Sequence, residues 1–396
     1  MNKKEVKKAP ALRFKGFTND WEQRKLGCLM NITSVKRIHQ SDWRKKGIPF
    51  YRARDITALS KNLNIEEPIF ISRDLYEEYS KISGKVQIND LLVTGVGTIG
   101  VPLLVQTVPL YFKDGNIIWF QNSNKLIGLF FLYLFKTNTV QKYIHTTTGV
   151  GTVPTYTIQS GKNTPVYITS KKEQKDIGTI FQLIDNLISL QQRKLKLLKV
   201  MKKALSQYMF CQETEFVPIL RFNSFSDKWK YERLKKLIVK EIKGKAKADM
   251  KGTKSTYIDT ALLNGGSITK VDSPTDTFHN DIIILWDGSQ AGKIYHGFTG
   301  ALGSTLKSYK PKYSGGFLYQ YLKSKEPIIF LRYRTPNIPH VIKDFTEIFK
   351  INVPSVKEQE KISKTLNYLD QRILVETKKI GSIKKIKKFL LQNMFI

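Results

Sequence analysis

The 396-residue sequence contains few of the residues that build disulfide networks and metal centres. Its only cysteines, Cys28 and Cys211, exclude a disulfide framework and a cysteine-based zinc module. So few cysteines are typical of a reducing compartment, and we expect a cytoplasmic protein. None of the five histidines pairs at metal-ligand spacing, so the sequence predicts no metal site.

Long apolar runs are also missing. The longest, residues 126–135, has ten residues with a glycine inside, whereas a membrane-spanning helix needs about twenty. Residues 1–8 are charged and no apolar stretch follows them, so we expect neither a signal peptide nor a membrane partner.

Acidic side chains are scarce. There are 33 Asp and Glu against 66 Lys and Arg, which gives a net charge of +33. Such a surplus repels itself unless a polyanion is bound, and nucleic acid is the first candidate. An anionic membrane surface is the second candidate, and the missing apolar runs weaken it. The apolar fraction of 41% is that of a globular protein with a core.

Catalytic motifs are absent from the sequence. There is no G-x-x-x-x-G-K-[ST] phosphate loop, no Asn/Asp-Pro-Pro-aromatic methyltransferase motif and no apparent acid–base pair or nucleophile. Residues 95–100 match G-x-G-x-x-G, but Pro102 opposes the helix that nucleotide binding requires. We interpret this segment as a strand–turn–strand that presents backbone and small polar side chains.

What the sequence does contain is a duplication. Residues 10–26 return at 218–234, and residues 154–210 return at 339–395, with offsets of 208 and 185. The charge divides with the repeat: the first 212 residues carry 33 basic and 15 acidic side chains, and the remainder carry 33 and 18. Each half is therefore expected to face phosphate.

Each half ends in a segment whose apolar residues step by four and three, the heptad pattern of a coiled coil. In both copies two positions of this pattern are occupied by polar residues, Gln191 and Lys202 in the first and Glu376 and Lys387 in the second. We expect two long helices packed on each other, antiparallel because the repeat is pseudo-twofold, rather than two unrelated core helices. The predicted apolar seam is Ile177, Phe181, Ile184, Ile188, Leu195, Leu198, Leu205 and Met209, and Ile362, Leu366, Leu369, Ile373, Ile380, Ile383, Leu390 and Met394.

The rest of each half lacks sustained helical periodicity and is rich in short apolar and β-branched runs, which predict strands. The fold class is therefore α+β: two mixed α/β domains joined by two long antiparallel coiled-coil helices, in a pseudo-twofold internal repeat. The sequences of the middle parts diverge, and the lysine-rich loop 243–254 has no counterpart in the first half. The two halves are therefore expected to recognise two different targets. Strands are predicted at 49–51, 85–88, 91–93, 117–120, 281–286 and 327–331, and short helices at 130–136 and 317–323.

Basic and polar side chains near aromatic ones are the candidate nucleic-acid contacts. Lys and Arg neutralise phosphates, while Arg, Lys, Gln, Asn, Ser and Thr read base edges. A single basic pair is usually a solvated surface, so the prediction rests on the set, with Arg52, Arg54, Gln290 and Lys293 as candidate base contacts. The set is Lys36, Arg37, Arg44, Lys45, Lys46, Arg52, Arg54, Thr98, Lys243, Lys245, Lys247, Lys251, Lys254, Ser289, Gln290, Lys293, Arg332 and Arg334.

With these features the chain resembles the specificity subunit of type I restriction–modification systems. The resemblance lies in the order of variable domain, heptad helix, second variable domain and matching helix, and it covers residues 10–396. Its local motifs are the opening from Pro10 to Trp21, and the proline-containing turns before Glu173-Gln174 and Glu358-Gln359. The second domain differs slightly from the first. Trp229 is followed by Lys-Tyr-Glu where Trp21 is followed by Glu-Gln-Arg, and the glycines of residues 286–292 lack the spacing of those in residues 95–100.

The resemblance implies a non-catalytic recognition subunit of a complex with methyltransferase and endonuclease activity. Each target recognition domain would read one half of a bipartite, asymmetric site in double-stranded DNA. The helices would set the spacing and dock two modification subunits that use S-adenosylmethionine to methylate adenine. Restriction subunits would add an ATP- and magnesium-dependent motor and nuclease, and this chain would hold no cofactor. The implied domains are a target recognition domain at 1–165, a spacer helix at 166–212, a second target recognition domain at 213–350 and a second spacer helix at 351–396.

Two alternatives remain open. A stand-alone DNA-acting enzyme, such as a nuclease or methyltransferase, would show activity of this chain alone with magnesium or S-adenosylmethionine. An architectural or RNA-binding polycation would be competed from duplex DNA by structured RNA.

Overall fold

The computed structural model describes residues 9–148, 154–212, 215–337 and 339–396. The chain forms two compact units, which we call unit 1 (Met1–Gln191 with Lys379–Ile396) and unit 2 (Gln192–Lys378). Each unit contains one copy of the duplicated domain and a part of both long helices. The units are described separately below.

Unit 1 is built on short strands and helices. Its strands are β1 (Glu22–Lys25), β2 (Asn31–Thr33), β3 (Ile48–Tyr51), β4 (Ile69–Ile71), β5 (Leu91–Thr94), β6 (Pro102–Leu104), β7 (Tyr111–Phe112), β8 (Ile117–Gln121) and β9 (Pro165–Ile168). Its helices are α1 (Leu26–Leu29), α2 (Ala53–Ser60), α3 (Arg73–Ser83), α4 (Gly128–Phe135), α5 (Asn138–Thr147), α6 (Ile158–Asn163) and the first part of the long α7 (Lys171–Tyr208). A short 3-10 turn spans Gln40–Asp42.

Three sheets organise unit 1. The central one has the order β2-β8-β5-β6 and is antiparallel. An outer sheet, β4-β3-β7, pairs β3 antiparallel with β4 and parallel with β7. A two-stranded sheet joins β1 to β9, so the opening of the domain lies beside the segment that leads into α7.

The central sheet separates two cores because successive side chains on a strand point to opposite faces. On β5, Leu91 and Val93 enter an inner core that also contains Phe181 of α7. Leu92, between them, enters an outer core with Phe50 of β3. The inner core therefore attaches the domain to the long helix, and the outer core supports the outer sheet.

Unit 2 has the same kinds of elements. Its strands are β10 (Lys230–Arg233), β11 (Ile238–Lys243), β12 (Lys251–Ile258), β13 (Lys270–Val271), β14 (Ile282–Leu285), β15 (Ile294–His296), β16 (Ala301–Leu302), β17 (Leu306–Pro311) and β18 (Lys350–Val353). Its helices are α8 (Thr260–Leu263), α9 (Gly315–Ser324), α10 (Glu326–Arg332), α11 (Phe345–Ile348) and most of the long α12 (Val356–Asn393). A 3-10 turn spans Leu234–Leu237.

The strand order of unit 2 repeats that of unit 1, including the middle parts whose sequences diverge. Its central sheet is β11-β17-β14-β15, its outer sheet is β13-β12-β16, and β10 pairs with β18. The outer sheet again has one antiparallel pair and one parallel pair around its middle strand. On β14, Ile282 and Ile284 face the inner core and Ile283 the outer one. The duplication therefore covers the sheets of the whole domain, although the sequence shows it only at the ends, and helix α3 of unit 1 has no counterpart between β13 and β14.

The predictions for the short elements are partly confirmed. Strands form at 48–51, 91–94, 117–121 and 282–285, and helices α4 and α9 form where they were predicted. The strand predicted at 85–88 is wrong, because these residues lead into a turn with Asn89 at φ 73°. The strand predicted at 327–331 is also wrong: an apolar run without clear periodicity fits either structure, and Pro327 in the first turn favours helix α10.

Two further differences concern the middle parts. The lysine-rich segment is a loop only from residue 244 to 250, because Lys243 ends β11 and Lys251 begins β12. Helix α3 was not predicted. Ser72 caps it by accepting a hydrogen bond from the Leu75 N–H, and a serine before a helical apolar pattern was the signal that could have revealed it.

The long helices α7 and α12 have 38 residues each, which corresponds to about 57 Å at 1.5 Å per residue. In unit 1, Lys387 forms an ion pair with Asp185, and in unit 2, Lys202 forms one with Asp370. Residue numbers rise along α7 as they fall along α12, so the helices are antiparallel, as predicted. They begin at Lys171 and Val356, a few residues after strands β9 and β18.

The seam of this helix pair is self-complementary. The 185-residue offset converts Asp185–Lys387 into Asp370–Lys202, so the two ion pairs are equivalent. Each aspartate also accepts a second bond from its own domain: Tyr133 Oη donates to Asp185 at 2.8 Å, and Gln320 Nε2 donates to Asp370 at 2.8 Å. All the apolar seam positions named above are buried or half-buried. The polar steps at Lys202 and Lys387 are thus paired, and paired polar positions fix register.

Candidate nucleic-acid interface

The candidate residues of unit 1 lie mainly in its outer layer. Lys36 and Arg37 follow β2, residues 44–46 precede β3, and Arg52 and Arg54 lie at the start of α2. All of them except Arg52 are exposed. The Lys36 ammonium lies 4.0 Å from the centre of the Tyr79 ring on α3, which gives this lysine a defined position.

Three of the four candidate arginines of this layer are engaged by carboxylates. Arg52 donates to both oxygens of Asp55, at 2.7 and 3.0 Å, and to the Glu67 carbonyl at 2.7 Å. Its side chain is only 14% exposed, so its guanidinium stabilises the start of α2. Arg54 pairs with Glu67 at 2.8 Å and Arg37 with Asp114 at 2.9 Å. Arg44 donates to the carbonyls of Ser41 and Trp43, whereas Lys45 and Lys46 are exposed.

Unit 2 carries its basic residues differently. The segment from β11 to β12 brings together exposed lysines that form no ion pair among the described residues. We call this group the lysine hairpin: Lys243, Lys245, Lys247, Lys251 and Lys254. Its charge is uncompensated, whereas that of Arg37, Arg52 and Arg54 in unit 1 is largely neutralised. A polyanion would therefore be attracted to unit 2 by the lysine hairpin directly.

A second group of candidates in unit 2 gathers at the turn between β14 and β15. Arg334 Nη1 donates to the Ser289 carbonyl at 3.0 Å, and its guanidinium lies 4.9 Å from the centre of the Phe330 ring. The Lys293 ammonium donates to Gln290 Oε1 at 3.2 Å and to Asn264 Oδ1 at 3.4 Å. Arg332, at the end of α10, is exposed.

The corresponding turn of unit 1 joins β5 to β6 and carries Thr98, which is exposed. The strand–turn–strand predicted there is confirmed, since β5 and β6 pair antiparallel. The Thr98 carbonyl accepts a hydrogen bond from the Thr94 hydroxyl. Gln141 Nε2 of α5 donates to the Gly100 carbonyl at 3.0 Å.

Beside the turn between β14 and β15, unit 2 has a cation–aromatic contact that was not predicted from the sequence. The Lys307 ammonium lies 3.4 Å from the centre of the Trp286 ring, and burial lowers the pKa of Lys307. The two residues meet because β14 and β17 pair with Leu285 opposite Leu306. No short-range pattern links residues 21 positions apart, so nothing in the sequence could have shown it.

The most regular feature of both units is a buried ion pair that we call the clasp. In unit 1, Arg13 Nε and Nη2 donate to the two oxygens of Glu173 at 2.6 and 2.8 Å. In unit 2, Arg221 donates to both oxygens of Glu358 at 2.8 Å. The hydrogen bond to the glutamate raises the pKa of each arginine further. These are the arginines of the repeated opening motif and the glutamates at the start of each long helix.

The clasps show what the repeated motifs do. Each ties the opening segment of a domain to the first turn of the long helix that ends the same domain. Both glutamates are buried, with side chains 0% and 1% exposed, and bidentate geometry is what makes such a pair favourable. The repeated arginines and glutamates are visible in the sequence, but their contact is visible only in the structure.

Metal-ligand clusters and membrane-spanning helices are absent from the described part of the chain. Within it, no group of three or more His, Cys, Asp and Glu residues is placed to hold a metal ion. None of the helices in that part combines the length and the apolar composition needed to cross a bilayer.

Comparison with known proteins agrees with this architecture. The model of the type I restriction modification DNA specificity domain matches the chain twice, at residues 18–200 and 226–385. The type I restriction enzyme MjaVIII specificity subunit of Methanocaldococcus jannaschii is 34% identical over 168 residues, which is 40% of this chain and 40% of that protein. The chain therefore aligns with less than half the length of this relative.

Solved structures share the fold. The S subunit of a type I restriction–modification system from M. genitalium has a TM-score of 0.69 at 16% identity, covering 98% of this chain and 99% of that chain. A chain from a structure describing complex assembly and conformational transition of the type I R-M system has a TM-score of 0.54 at 14% identity, covering 95% and 97%. Since the family model covers most of the sequence in two copies, the chain belongs to the type I restriction modification DNA specificity family and has the two-domain build of its specificity (S) subunits.

Proposed function

We propose that this chain is the DNA-reading, non-catalytic subunit of a type I restriction–modification complex. In this proposal each recognition domain, at 1–165 and 213–350, contacts one half of a bipartite, asymmetric site in duplex DNA. The observation that carries the proposal is the repetition of the same three sheets in both units, with each domain joined by its clasp to one of two antiparallel helices. Two like domains on a fixed spacer suit two half-sites on one duplex.

The different surfaces of the two domains support an asymmetric site. Unit 1 offers exposed Lys36, Lys45 and Lys46 and arginines held by carboxylates. Unit 2 offers the lysine hairpin and the polar turn at Gln290. Phosphate contacts position a protein and base contacts specify a sequence, so domains with one framework and unlike outer side chains would read different half-sites.

The helix pair is suited to set the distance between half-sites. Its spacer segments, 166–212 and 351–396, contain helices α7 and α12, whose register is fixed by the two equivalent aspartate–lysine pairs. Slipping the register would separate both pairs and leave half-buried charges without partners, which is costly. A fixed register means a fixed gap in the recognised DNA.

The long helices also offer surface for the modification subunits. In unit 1, Leu183, Leu187 and Leu190 lie on one face of α7 at steps of four and three, and all three are exposed. In unit 2, Leu197 and Met201 continue the same spacing. Apolar stripes of this kind mark protein interaction sites, and we assign them to two methyltransferase subunits that carry S-adenosylmethionine. ATP and magnesium would act in the restriction subunits.

The direct test is to map methylated adenines in a host that expresses the modification subunit with and without this chain. We expect methylation at one bipartite motif only when the chain is present. Methylation that is independent of the chain, or that lacks a sequence motif, would disprove the proposal. The chain alone, incubated with magnesium or S-adenosylmethionine, should neither cut nor methylate DNA; activity there would favour the stand-alone enzyme.

The lysine hairpin gives a prediction about affinity. Replacing Lys245 and Lys247 with glutamine should weaken binding of the complex to target and random duplex alike, because these side chains would neutralise phosphates. The slope of log affinity against log salt should fall in magnitude by about 0.9 per lysine, measured by fluorescence anisotropy at several salt concentrations. Exposed Lys364 and Lys378 on α12, replaced together, are the matched control and should leave the slope unchanged.

An unchanged slope in the hairpin variant would show that these lysines do not contact phosphate. The same titration with structured RNA as competitor separates the architectural alternative. A DNA-reading subunit should release its target duplex to DNA that contains the motif at much lower competitor concentrations than to structured RNA.

A further inference from the structure

The turn that joins a middle strand of each central sheet to its edge strand, β5 to β6 in unit 1 and β14 to β15 in unit 2, recurs with the same backbone hydrogen bonds. We call residues 95–100 tip loop 1 and residues 286–292 tip loop 2. In tip loop 1 the Gly95 N–H donates to the Asn116 carbonyl at 2.8 Å, and the Tyr156 N–H donates to the Gly95 carbonyl at 2.8 Å. In tip loop 2 the Trp286 N–H donates to Thr305 at 2.9 Å, and the Val341 N–H donates to Trp286 at 2.9 Å.

Both loops are also closed in the same way. The Gly100 N–H donates to the Thr94 carbonyl at 2.7 Å, and the Gly292 N–H donates to the Leu285 carbonyl at 2.7 Å. Each loop begins its tip with a glycine at positive φ, Gly97 at 77° and Gly288 at 109°, where a Cβ would meet no neighbour. These glycines serve the backbone conformation alone. The glycine turn that looks irregular in the second half of the sequence is therefore the same turn.

The two tips differ by one residue. Between the glycines, tip loop 1 has Thr98 and Ile99, and tip loop 2 has Ser289, Gln290 and Ala291. Thr98 and Ser289 are exposed small hydroxyl residues, while Ile99 packs against the inner core and Ala291 is fully buried in it. The extra residue is thus Gln290, and its side chain is exposed.

The surroundings hold Gln290 in place. Arg334 donates to the carbonyl of Ser289 at 3.0 Å, and the Lys293 ammonium donates to Gln290 Oε1 at 3.2 Å. An exposed amide on a hydrogen-bonded loop, next to two cations, has the chemistry that base reading requires. A glutamine amide can pair bidentately with adenine in the major groove, and the cations suit the flanking phosphates.

We propose that the tip loops are specificity-determining elements and that Gln290 reads an adenine in the half-site of unit 2. This inference rests on the proposed function. Tip loop 1 lacks the inserted amide and has only the Thr98 hydroxyl at its tip, so it contacts bases differently. Arg334 acts as a positioning residue through the Ser289 carbonyl.

The test uses the full chain with its modification subunits and maps methylated adenines across a genome. Gln290→Ala should relax one A·T position in one half-site, with discrimination falling by about tenfold. The other half-site and the gap should be unchanged. Exposed Gln371→Ala on α12 is the matched control and should leave the motif as it is.

A second variant, with the reciprocal change, tests the same inference if the effect of Gln290→Ala is too small to measure. Inserting glutamine after Thr98 gives tip loop 1 the length of tip loop 2 and should change the other half-site only. Identical motifs for wild type and both variants, with normal thermal unfolding, would overturn the inference. If wild type itself shows no motif, the proposed function fails instead, so the two failures are distinguishable.

Discussion

Replacing Arg221 with methionine should destabilise unit 2 by about 3–5 kcal/mol, because it leaves the Glu358 carboxylate buried without its partner. Glu358 is 1% exposed and receives both donors of the Arg221 fork. The opposite change, Glu358→Met, should cost less, since Arg221 is 11% exposed and can turn toward water. Chemical denaturation followed by tryptophan fluorescence measures both, with Trp229 and Trp286 as the reporters in unit 2.

Two comparisons make this prediction specific. Arg37→Met removes an exposed arginine paired with Asp114 and should change the free energy of unfolding by about 0–1 kcal/mol. The double variant Arg221→Met with Glu358→Met should recover most of the loss, because removing both charges of a buried pair is often nearly neutral. A small effect of Arg221→Met, similar to that of Arg37→Met, would show that the clasp does not hold the domain to its helix.

Lengthening both long helices by one heptad should lengthen the gap in the recognised DNA. Seven residues inserted after Arg193 and seven after Lys378 preserve the seam, since these positions are equivalent under the 185-residue offset. The insertion adds about 10 Å of helix, which corresponds to about three base pairs at 3.4 Å each. Methylation mapping should show the same two half-sites with a gap longer by about three base pairs.

The matched control inserts the heptad into α7 alone. It shifts one helix against the other and separates Asp185 from Lys387 or Lys202 from Asp370. We expect specific methylation to be lost in this variant. An unchanged gap in the double-insertion variant would mean that the helix pair does not determine the spacing.

The sequence revealed those parts of the fold whose physical cause repeats at fixed spacing. The seam of α7 and α12 was readable because each apolar step lies one helical turn from the next, and Lys202 and Lys387 interrupt it at matching places. The recurrence of Arg13 at Arg221 was visible too. Its meaning was not, because the partner glutamate lies 160 residues away in unit 1 and 137 in unit 2.

The remainder depended on contacts between distant strands. The pairing of β3 with β7 and of β12 with β16 is shared by the units, yet few residues in these strands match, since an outer sheet needs only alternating apolar side chains. Arg52 was predicted to contact bases, but Asp55 and the Glu67 carbonyl accept hydrogen bonds from its guanidinium. The sequence contains no pattern that shows these contacts. The equivalence of the tip loops was likewise hidden by the single inserted residue, Gln290.

The clasp also bears on how such chains diversify. Each clasp closes a domain onto its own helix within one unit, so the segment between Arg221 and Glu358 is a domain whose two ends are joined by an ion pair. A foreign segment that brings its own strands but keeps those ends would inherit the attachment without any change in the helices. Under the proposed function, recombination between genes would exchange a whole recognition domain in one event, because the helix seam lies outside the exchanged segment. New DNA specificities would arise by cassette exchange more readily than by gradual substitution.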